Sequence, residues 1–288
     1  MDGPLLRDMP VAASNVEQAA AWDGDEGAYW AQHARRFDDA IAGHHHRFLG
    51  VLDLATDSRV LDIGCGTGQT TRDTARRAPT GSALGVDLSA RMLEVARHQA
   101  TAEGLRNVTF ERADAQIHPF PTAAFDLVIA RTAAMFFGDK RTAFANLART
   151  LRPHGQLALL VWQAAPRNEW VTCLMDAMSG GRDLPQPPPD GPHPFSMAEP
   201  NPVRDLLDET GFTEIAFDAV NEPMSFGTDA ADAFRFVLGM LGWMLQGVDN
   251  TTRDRALASL RRTLDDHETA DGVWYDSAAW LITARRHD

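Results

Sequence analysis

The chain has 288 residues, of which 44% are hydrophobic and 23% are charged, a composition typical of a globular protein with a sizeable core. Its 40 acidic residues outnumber its 27 lysines and arginines, which gives a formal net charge of −13, and its arginine pairs are scattered among acids. This charge argues against nucleic acid or an anionic membrane surface as a partner.

The sequence shows no signal for targeting or for metal binding. Its start, MDGPLLRDMPVAASN, lacks both a basic region and a sustained apolar stretch, so we expect no signal peptide. The apolar run at residues 157–162 is far too short to cross a bilayer. The two cysteines, Cys65 and Cys173, have neither disulfide nor metal-ligand spacing. We therefore expect a cytoplasmic protein without a metal.

Residues 14–52 are predicted to form a helical lid ahead of the core. Five apolar residues keep a helical spacing there: Trp30, Phe37, Ile41, Phe48 and Leu52. His33 lies on the same face and is a candidate general base. The run GHHHRF contains three adjacent histidines, which point in different directions on a helix and cannot chelate one metal together. We interpret the buried members of this run as structural.

From residue 58 to residue 162, short apolar runs alternate with helical patterns. The runs RVLDIG, SALGVDLS, NVTFERADA, FDLVIAR and QLALLVW are typical of strands in a parallel sheet. Ser89 and Asp139 are predicted to cap the two helices that follow them, and Pro153 with Gly155 to end the second. This alternation predicts an α/β fold with helices on both faces of the sheet.

The remaining chain adds two strands and two further segments. Residues 163–200 form a Pro-rich connection in which LPQPPPDGPHPF follows an extended path. Asn201 is predicted to cap a helix that leads into the strand FTEIAFDAV. Residues 221–272, hereafter the insertion, are predicted to hold two helices before the closing strand AAWLITARR. We therefore predict one domain over residues 1–288, with a seven-stranded, mostly parallel sheet.

The loop VLDIGCGTG at residues 60–68 predicts the ligand. It follows the first strand, and Asp87 ends the second strand, where a carboxylate can accept hydrogen bonds from a ribose diol. A triphosphate-binding loop needs a lysine and a hydroxyl residue after its second glycine, whereas here Gln69 follows Gly68. A dinucleotide-binding loop has its third glycine at the position of Gln69, so both of these ligands are disfavoured. Asp62 directs negative charge towards the ligand and favours a cationic ammonium and sulfonium over a pyrophosphate.

Four motifs in order, VLDIGCGTG, GVDLSARMLEVAR, ERADAQ and FDLVIAR, resemble the class I S-adenosylmethionine-dependent methyltransferases. The resemblance covers residues 58–162 in detail, and later stretches such as RNEW resemble a small-molecule branch of that family. It implies a Rossmann-like fold and S-adenosylmethionine as the cofactor. The cofactor site that it implies consists of Asp62, Gly64, Cys65, Gly66, Gly68, Asp87, Leu88, Met92, Asp114, Ala115 and Arg131.

The resemblance also implies a role for several of these residues. The three loop glycines approach the amino-acid part of the cofactor, and Asp62 lies near its ammonium. Asp87 holds the ribose hydroxyls, and Leu88 packs on the adenine. Asp114 accepts a hydrogen bond from the adenine amino group, and Arg131 stands beside the methyl-transfer centre.

The methyl acceptor is predicted from the apolar composition of the insertion. Methyl transfer by in-line displacement needs alignment in a dry site, and no catalytic triad is required. We expect four residues to line the acceptor pocket: Phe136, Phe137, Met240 and Trp243. The predicted function is methyl transfer to a small hydrophobic or aromatic metabolite. The acceptor, the methylated atom and the oligomeric state stay open.

Two alternatives belong to other functional classes. An NAD(P)-dependent oxidoreductase is disfavoured by Gln69 and by the lack of a Tyr-x-x-x-Lys pair, since the chain has only one lysine. A non-catalytic S-adenosylmethionine-binding module is the second alternative, in which the insertion would be an interaction surface.

Overall fold

The structure is a computed structural model that describes residues 9–185, 187–188 and 191–288. Ten strands are present in these residues: β1 Arg59–Ile63, β2 Ser82–Asp87, β3 Val108–Arg112, β4 Phe125–Arg131, β5 Leu151–Trp162, β6 Phe212–Asn221, β7 Met224–Gly227, β8 Glu268–Thr269, β9 Gly272–Tyr275 and β10 Ala278–Arg286. The expectation about a signal peptide falls largely on residues 1–8 and so lies outside the described residues.

Seven of these strands form the central sheet, in the order β3-β2-β1-β4-β5-β10-β6. The neighbours from β3 to β5 pair in parallel, and β10 runs antiparallel to both β5 and β6. The central strands β1, β4 and β5 are buried along most of their length, which explains their continuous apolar runs. The predicted seven-stranded, mostly parallel fold is confirmed.

Eleven α-helices are present in the described residues: α1 Val16–Asp23, α2 Asp25–Gln32, α3 Ala34–Ala40, α4 Ala42–Gly50, α5 Gln69–Arg77, α6 Ala90–Ala102, α7 Lys140–Thr150, α8 Glu169–Ser179, α9 Pro200–Glu209, α10 Ala230–Leu241 and α11 Asn250–Asp266. Helices pack on both sides of the sheet. None of these described helices combines the length and the apolar character that a bilayer crossing requires.

Two predicted helix caps are present in the core. The Ser89 hydroxyl accepts a hydrogen bond of 3.4 Å from the backbone N–H of Met92, and the Asp139 carboxylate accepts one of 3.0 Å from that of Thr142. The predicted stop at Pro153 and Gly155 is displaced, because α7 already ends at Thr150 and both residues lie inside β5. The register of β5 against β4 shifts there, which accommodates the turn residues within the strand.

The start of α9 corrects the prediction for Asn201. The helix begins at Pro200, with Glu199 at the N-cap, and Asn201 is exposed in the first turn. A proline fits the first helical position because the N–H that it lacks would have no partner within the helix. The sequence contains a second proline at residue 202, and the prediction assigned the helix start to it instead.

Four short helices, α1–α4, form the N-terminal cover in the segment where one helical spacing was predicted. The helices are separated at Gly24, His33 and Ile41. Phe37 and Phe48 are buried in the main core, and α2 contacts both α6 and α10. The cover therefore bridges the sheet domain and the insertion.

The two later segments contain more structure than the sequence predicted. The insertion has the two expected helices, α10 and α11, together with a three-stranded antiparallel sheet in the order β7-β9-β8. The Pro-rich connection contains α8, which packs against α11. Residues 186, 189 and 190 of its extended stretch lie outside the described residues.

Candidate functional site

A cavity of about 1020 Å³ extends from the glycine loop to the insertion. Its walls include residues that follow the carboxyl ends of β1, β2, β3 and β4, together with residues of the N-terminal cover. Ligands of parallel α/β sheets bind at these strand ends. The volume lies at the upper end of the range for small-molecule sites, so the cavity has room for more than one small ligand.

The glycine loop gives the cavity a floor of exposed backbone. Gly64 and Gly66 have left-handed φ values of 61° and 54°, which side chains rarely adopt. A Cβ atom on Gly64 would lie 2.4 Å from the Cβ of Ala133. A Cβ on Gly66 would meet only the Met92 Sδ, at 3.8 Å, and would therefore point into open space that a ligand can use. Cys65 also borders the cavity, with its side chain buried.

The third glycine of the loop, Gly68, has a packing role that the sequence did not predict. Gly68 does not border the cavity, and it stands at the N-cap of α5 with φ 79°. A Cβ atom there would lie 2.7 Å from the Phe110 Cε1 and 2.8 Å from the Ala96 Cβ. The absence of a side chain at Gly68 thus permits close packing of the loop against β3 and α6. That Gly68 also approaches the cofactor stays a prediction.

Asp62 is a buried carboxylate on the cavity wall. Its Oδ2 accepts a hydrogen bond of 2.6 Å from the Thr71 hydroxyl. Burial raises the pKa of Asp62 to about 7, although the Thr71 hydrogen bond and the charge of Arg131 act in the opposite direction. The environment therefore compensates the carboxylate charge incompletely, and a cationic ligand group next to Asp62 would supply the missing charge.

Asp87 stands at the end of β2, facing the same cavity. Its Oδ2 accepts a 2.8 Å hydrogen bond from the Gly66 N–H, and its Oδ1 accepts one of 2.8 Å from the Ser89 N–H. Burial raises the pKa of Asp87, and these backbone donors oppose that rise. Each carboxylate oxygen has a second lone pair, so the oriented group can still accept from a diol. Leu88 and Met92 border the cavity beside it.

Asp114 and Ala115 also border the cavity, but Asp114 is already bonded by three protein donors. Its Oδ2 accepts from the Ala12 N–H at 2.9 Å, and its Oδ1 accepts from the Asn15 side-chain amide at 2.8 Å and the Gln116 N–H at 3.0 Å. The Asn15 Oδ1 in turn accepts from the Gly138 N–H at 2.8 Å. Sequence reasoning missed Asn15, because a partner 99 residues away leaves no local pattern.

Arg131 borders the cavity at the end of β4, and the N-terminal cover holds its guanidinium. The guanidinium donates to the Asp38 carboxylate at 2.9 Å and to the Gln69 side-chain oxygen, and it lies 3.2 Å from the His45 Nδ1. The other ring nitrogen of His45 lies 2.7 Å from an Asp73 carboxylate oxygen. A chain of polar contacts therefore runs from the cavity edge into α3, α4 and α5.

His33 is not among the residues that border the cavity, and its role as a candidate base stays a prediction. The helix breaks at this residue, its Nδ1 lies 2.9 Å from the Tyr29 carbonyl oxygen, and its ring lies 4.1 Å from the Tyr29 ring. Among the three adjacent histidines, His44 and His45 are buried. Burial lowers the pKa of His44 to about 4, and its Nε2 lies 3.2 Å from the Ser277 hydroxyl.

The far end of the cavity is aromatic. All four residues predicted for the acceptor pocket, Phe136, Phe137, Met240 and Trp243, line it. Phe226 and Phe236, from the same apolar stretch of the insertion, also line it, whereas sequence reasoning missed four further members of this wall: Trp162, Trp170, Met175 and Phe195. Most of these six residues lie on β5, α8 and the insertion. The rings of Trp30 and Phe37 stack in the cover with centroids 3.6 Å apart and border the same space.

Comparison with known proteins independently supports a methyltransferase. A family profile described as a methyltransferase domain matches residues 60–155. Nocamycin O-methyltransferase of Saccharothrix syringae is 29% identical over 259 residues, which cover 83% of this chain and 89% of that protein. Demethylmenaquinone methyltransferase of Thermus thermophilus is 38% identical over 119 residues, which cover 40% of this chain and about half, 54%, of that protein.

A solved structure shares the fold. Phosphoethanolamine N-methyltransferase 2 of Haemonchus contortus, in complex with S-adenosyl-L-methionine, superposes with a TM-score of 0.59 and 18% identity. The superposition covers 96% of this chain and 61% of that one. The matched domain begins inside β1 and includes the glycine loop and the carboxylates that end β2 and follow β3. The chain therefore contains a methyltransferase domain over residues 60–155, and the comparisons support an enzyme that uses S-adenosylmethionine as its cofactor.

Proposed function

We propose that this enzyme transfers the methyl group to a hydroxyl of a small, largely apolar aromatic metabolite. The observation that carries the proposal is the continuity of the cavity, which joins a carboxylate-lined end at the glycine loop to an aromatic end formed by the insertion. A small molecule held against the aromatic wall would share one enclosed space with the cofactor. A protein or nucleic-acid acceptor would instead need an open face.

Different residues at the carboxyl end of the sheet fit different parts of the cofactor. We assign its ammonium to Asp62, whose buried carboxylate has a raised pKa and accepts a hydrogen bond from the Thr71 hydroxyl. We assign the ribose hydroxyls to Asp87, which two backbone N–H groups already orient. Leu88 and Ala115 would contact the adenine, with Asp114 at its amino edge. When bound, the cofactor supplies an electrophilic methyl group on a sulfonium.

The residues between the two ends would align the acceptor and exclude water. Trp22 contacts both Trp30 and Phe136, with ring centroids 5.9 Å and 5.4 Å away. Aromatic faces attract a cation and exclude water at the same time. A displacement reaction benefits from this arrangement because its rate depends on alignment in a dry site. The chain's main contribution would thus be positioning.

Two considerations favour oxygen as the acceptor atom. The relative that aligns with 83% of this chain is named an O-methyltransferase. A phenolic hydroxyl has a pKa of about 10, so its deprotonation needs a weaker catalytic base than that of an alcohol. The aromatic ring of a phenol also matches the apolar character of Trp162, Trp170 and Phe236, which line the acceptor end.

The test uses labelled S-adenosylmethionine and a panel of hydroxylated aromatic compounds that includes phenol, 2-naphthol and hydroxyanthraquinones. We expect transfer of label to at least one multi-ring compound, with S-adenosylhomocysteine formed in equal amount. At an S-adenosylmethionine concentration below the dissociation constant, an Asp87→Asn variant should lose most of this turnover, and a matched Asp218→Asn variant, altered on the exposed face of β6, should keep it. Tight cofactor binding without transfer to any small molecule would support a binding module instead and refute the proposal.

A further inference from the structure

We propose that Glu169, Cys173 and His267 form a zinc site outside the cavity. Each offers one ligand atom, and these three atoms lie within 4.8 Å of one another. None of the three residues borders the large cavity, so the proposed site is separate from the methyl-transfer site. The sequence did not predict it, because the ligands come from two helices that are distant in the chain.

Secondary structure brings the three ligands together. Glu169 and Cys173 lie one turn apart on α8 and therefore share a face of that helix. His267 is the C-cap residue of α11, and α11 packs along α8. The His267 Nε2 lies 3.3 Å from the Glu169 Oε1. Zinc bonds of about 2.0–2.1 Å to nitrogen and 2.0–2.2 Å to oxygen at a tetrahedral angle imply a nitrogen–oxygen separation of roughly 3.3–3.5 Å.

The hydrogen bonds around the cluster leave the ligand atoms directed inwards. The His267 Nδ1 lies 2.7 Å from the Thr263 carbonyl oxygen, and since a carbonyl can only accept, Nδ1 carries the proton. The other ring nitrogen, Nε2, then faces the Glu169 carboxylate and is the atom that could bind a metal. Either a proton on Nε2 or a bound metal ion can join the two atoms at this separation. Metal-binding histidines commonly donate their other N–H to a carbonyl in this way.

The neighbouring groups fix the ligands further. The second oxygen of Glu169 accepts a 2.9 Å hydrogen bond from the Asp276 N–H, which leaves Oε1 for the metal. The Tyr275 ring stacks on the His267 ring with centroids 3.9 Å apart and limits its rotation. Thiolate, imidazole and carboxylate together are the donors of zinc, whereas calcium and magnesium take oxygen ligands. Three protein ligands leave a fourth position for water.

The site would act as a clamp on the acceptor wall. Trp170, Thr172 and Met175 lie on α8 among the ligands and border the cavity. A metal joining Glu169 and Cys173 to His267 would fix α8 against α11 and so hold these wall residues in place. Such a metal would stabilise the folded chain, because the ligands are assembled only on folding.

The experiment is zinc titration of chelator-treated protein against a chromophoric competitor, with no cofactor or acceptor present. We expect one zinc per chain and a rise in Tm that a chelator reverses. Cys173→Ser and His267→Gln should each weaken binding by about 100-fold or more, beyond the roughly 10–100-fold that loss of an outer partner costs. His118→Gln is the matched control, because His118 faces a carboxylate, that of Glu111, at 3.6 Å and belongs to no such cluster of described residues.

Cobalt gives a second measurement that needs no variant. A thiolate-to-cobalt charge-transfer band in the wild-type protein would support coordination by Cys173. Absence of saturable uptake near one equivalent would overturn the proposal and leave His267 and Glu169 as an ordinary ion pair. Uptake that survives Cys173→Ser unchanged, or that falls equally in His118→Gln, would also overturn it. None of these readouts depends on methyl transfer.

Discussion

The Arg131 guanidinium donates a 2.9 Å hydrogen bond to the Asp38 carboxylate, and only 13% of each side chain is exposed. Arg131 ends a central strand of the sheet, and Asp38 lies in α3 of the N-terminal cover. Both residues border the cavity. The pair thus fastens the cover to the sheet at the edge of the ligand site.

A double-mutant cycle measures this attachment. We expect Arg131→Ala and Asp38→Ala to show a coupling energy of about 1–3 kcal/mol in urea unfolding, because the pair is largely shielded from water. The matched control is Arg35 with Asp39, a pair at 3.7 Å whose side chains are 94% and 71% exposed. Its coupling should be at most about 0.5 kcal/mol. Equal coupling in the two pairs would contradict the proposed attachment.

Asp87→Asn should weaken S-adenosylmethionine binding by about 10–100-fold. The asparagine keeps the shape of the side chain but loses the charge that strengthens hydrogen bonds to the ribose, about 1.5–3 kcal/mol. Calorimetry gives the dissociation constant directly. Asp218→Asn, on the outer strand β6, removes an exposed carboxylate and should leave the affinity unchanged. An unchanged affinity in Asp87→Asn would show that the ribose contact is assigned wrongly.

Asp62→Asn should stabilise the ligand-free protein more at high pH than at low pH. The pKa of Asp62 is about 7 in the folded chain against 3.8 for the free group, so between these values only the folded state holds the proton. The stability that this proton supplies falls as the pH rises through this range and is absent above it. Urea unfolding at about pH 4 and about pH 8 should show a larger gain for Asp62→Asn at the higher pH. Equal gains would contradict the pKa.

Asn15→Ala should destabilise the protein by about 1–3 kcal/mol. Asn15 is 2% exposed, and its loss leaves the Gly138 N–H without this acceptor and Asp114 without one of its three donors. Faster amide exchange at Ala13–Asn15 should accompany the lower Tm. Asn201→Ala is the control, since Asn201 is exposed and the change should stay within about 0.5 kcal/mol. A comparable loss in Asn201→Ala would restore its predicted role as a helix cap.

Trp243→Ala should weaken acceptor binding with little effect on stability. The Trp243 side chain borders the cavity yet is 62% exposed, so the Tm should hardly change. Loss of its contact with 2-naphthol, used as a fluorescent probe, should raise the dissociation constant by about 5–30-fold. Ile117→Ala, which changes another exposed apolar residue outside the cavity lining, should leave probe binding unaltered. Weaker probe binding in both variants would point to non-specific adsorption.

The strands and the cofactor end of the fold were predictable because their patterns are local. The closing strand β10 has the bounds of the run AAWLITARR, and the glycine loop follows β1 as expected. Buried strands need continuous apolar runs, and such runs remain visible without any partner. The caps at Ser89 and Asp139 were found for the same reason.

The features that the sequence did not predict depend on contacts between residues that are distant in the chain. Helix α8 was missed because prolines dominate the segment around it, although Leu174 and Met178 are spaced as on a buried face. The bonds from Asn15 and Ala12 to Asp114 join segments about a hundred residues apart, and no local pattern records them. The contacts of Gly68 with β3 and α6, and of His33 with Tyr29, likewise left no pattern from which the sequence could predict them.

The antiparallel strand β10 lies next to β6, and Ala278 pairs with Asn221 at the point where β6 ends. The chain between them therefore leaves the sheet and returns to it at the same place. Such a segment can be lengthened, shortened or replaced at a closure cost of only about 0.6 kcal/mol per doubling of its length. Evolution, or a protein engineer, can thus exchange the part of the cavity wall that the insertion supplies while the central sheet is retained.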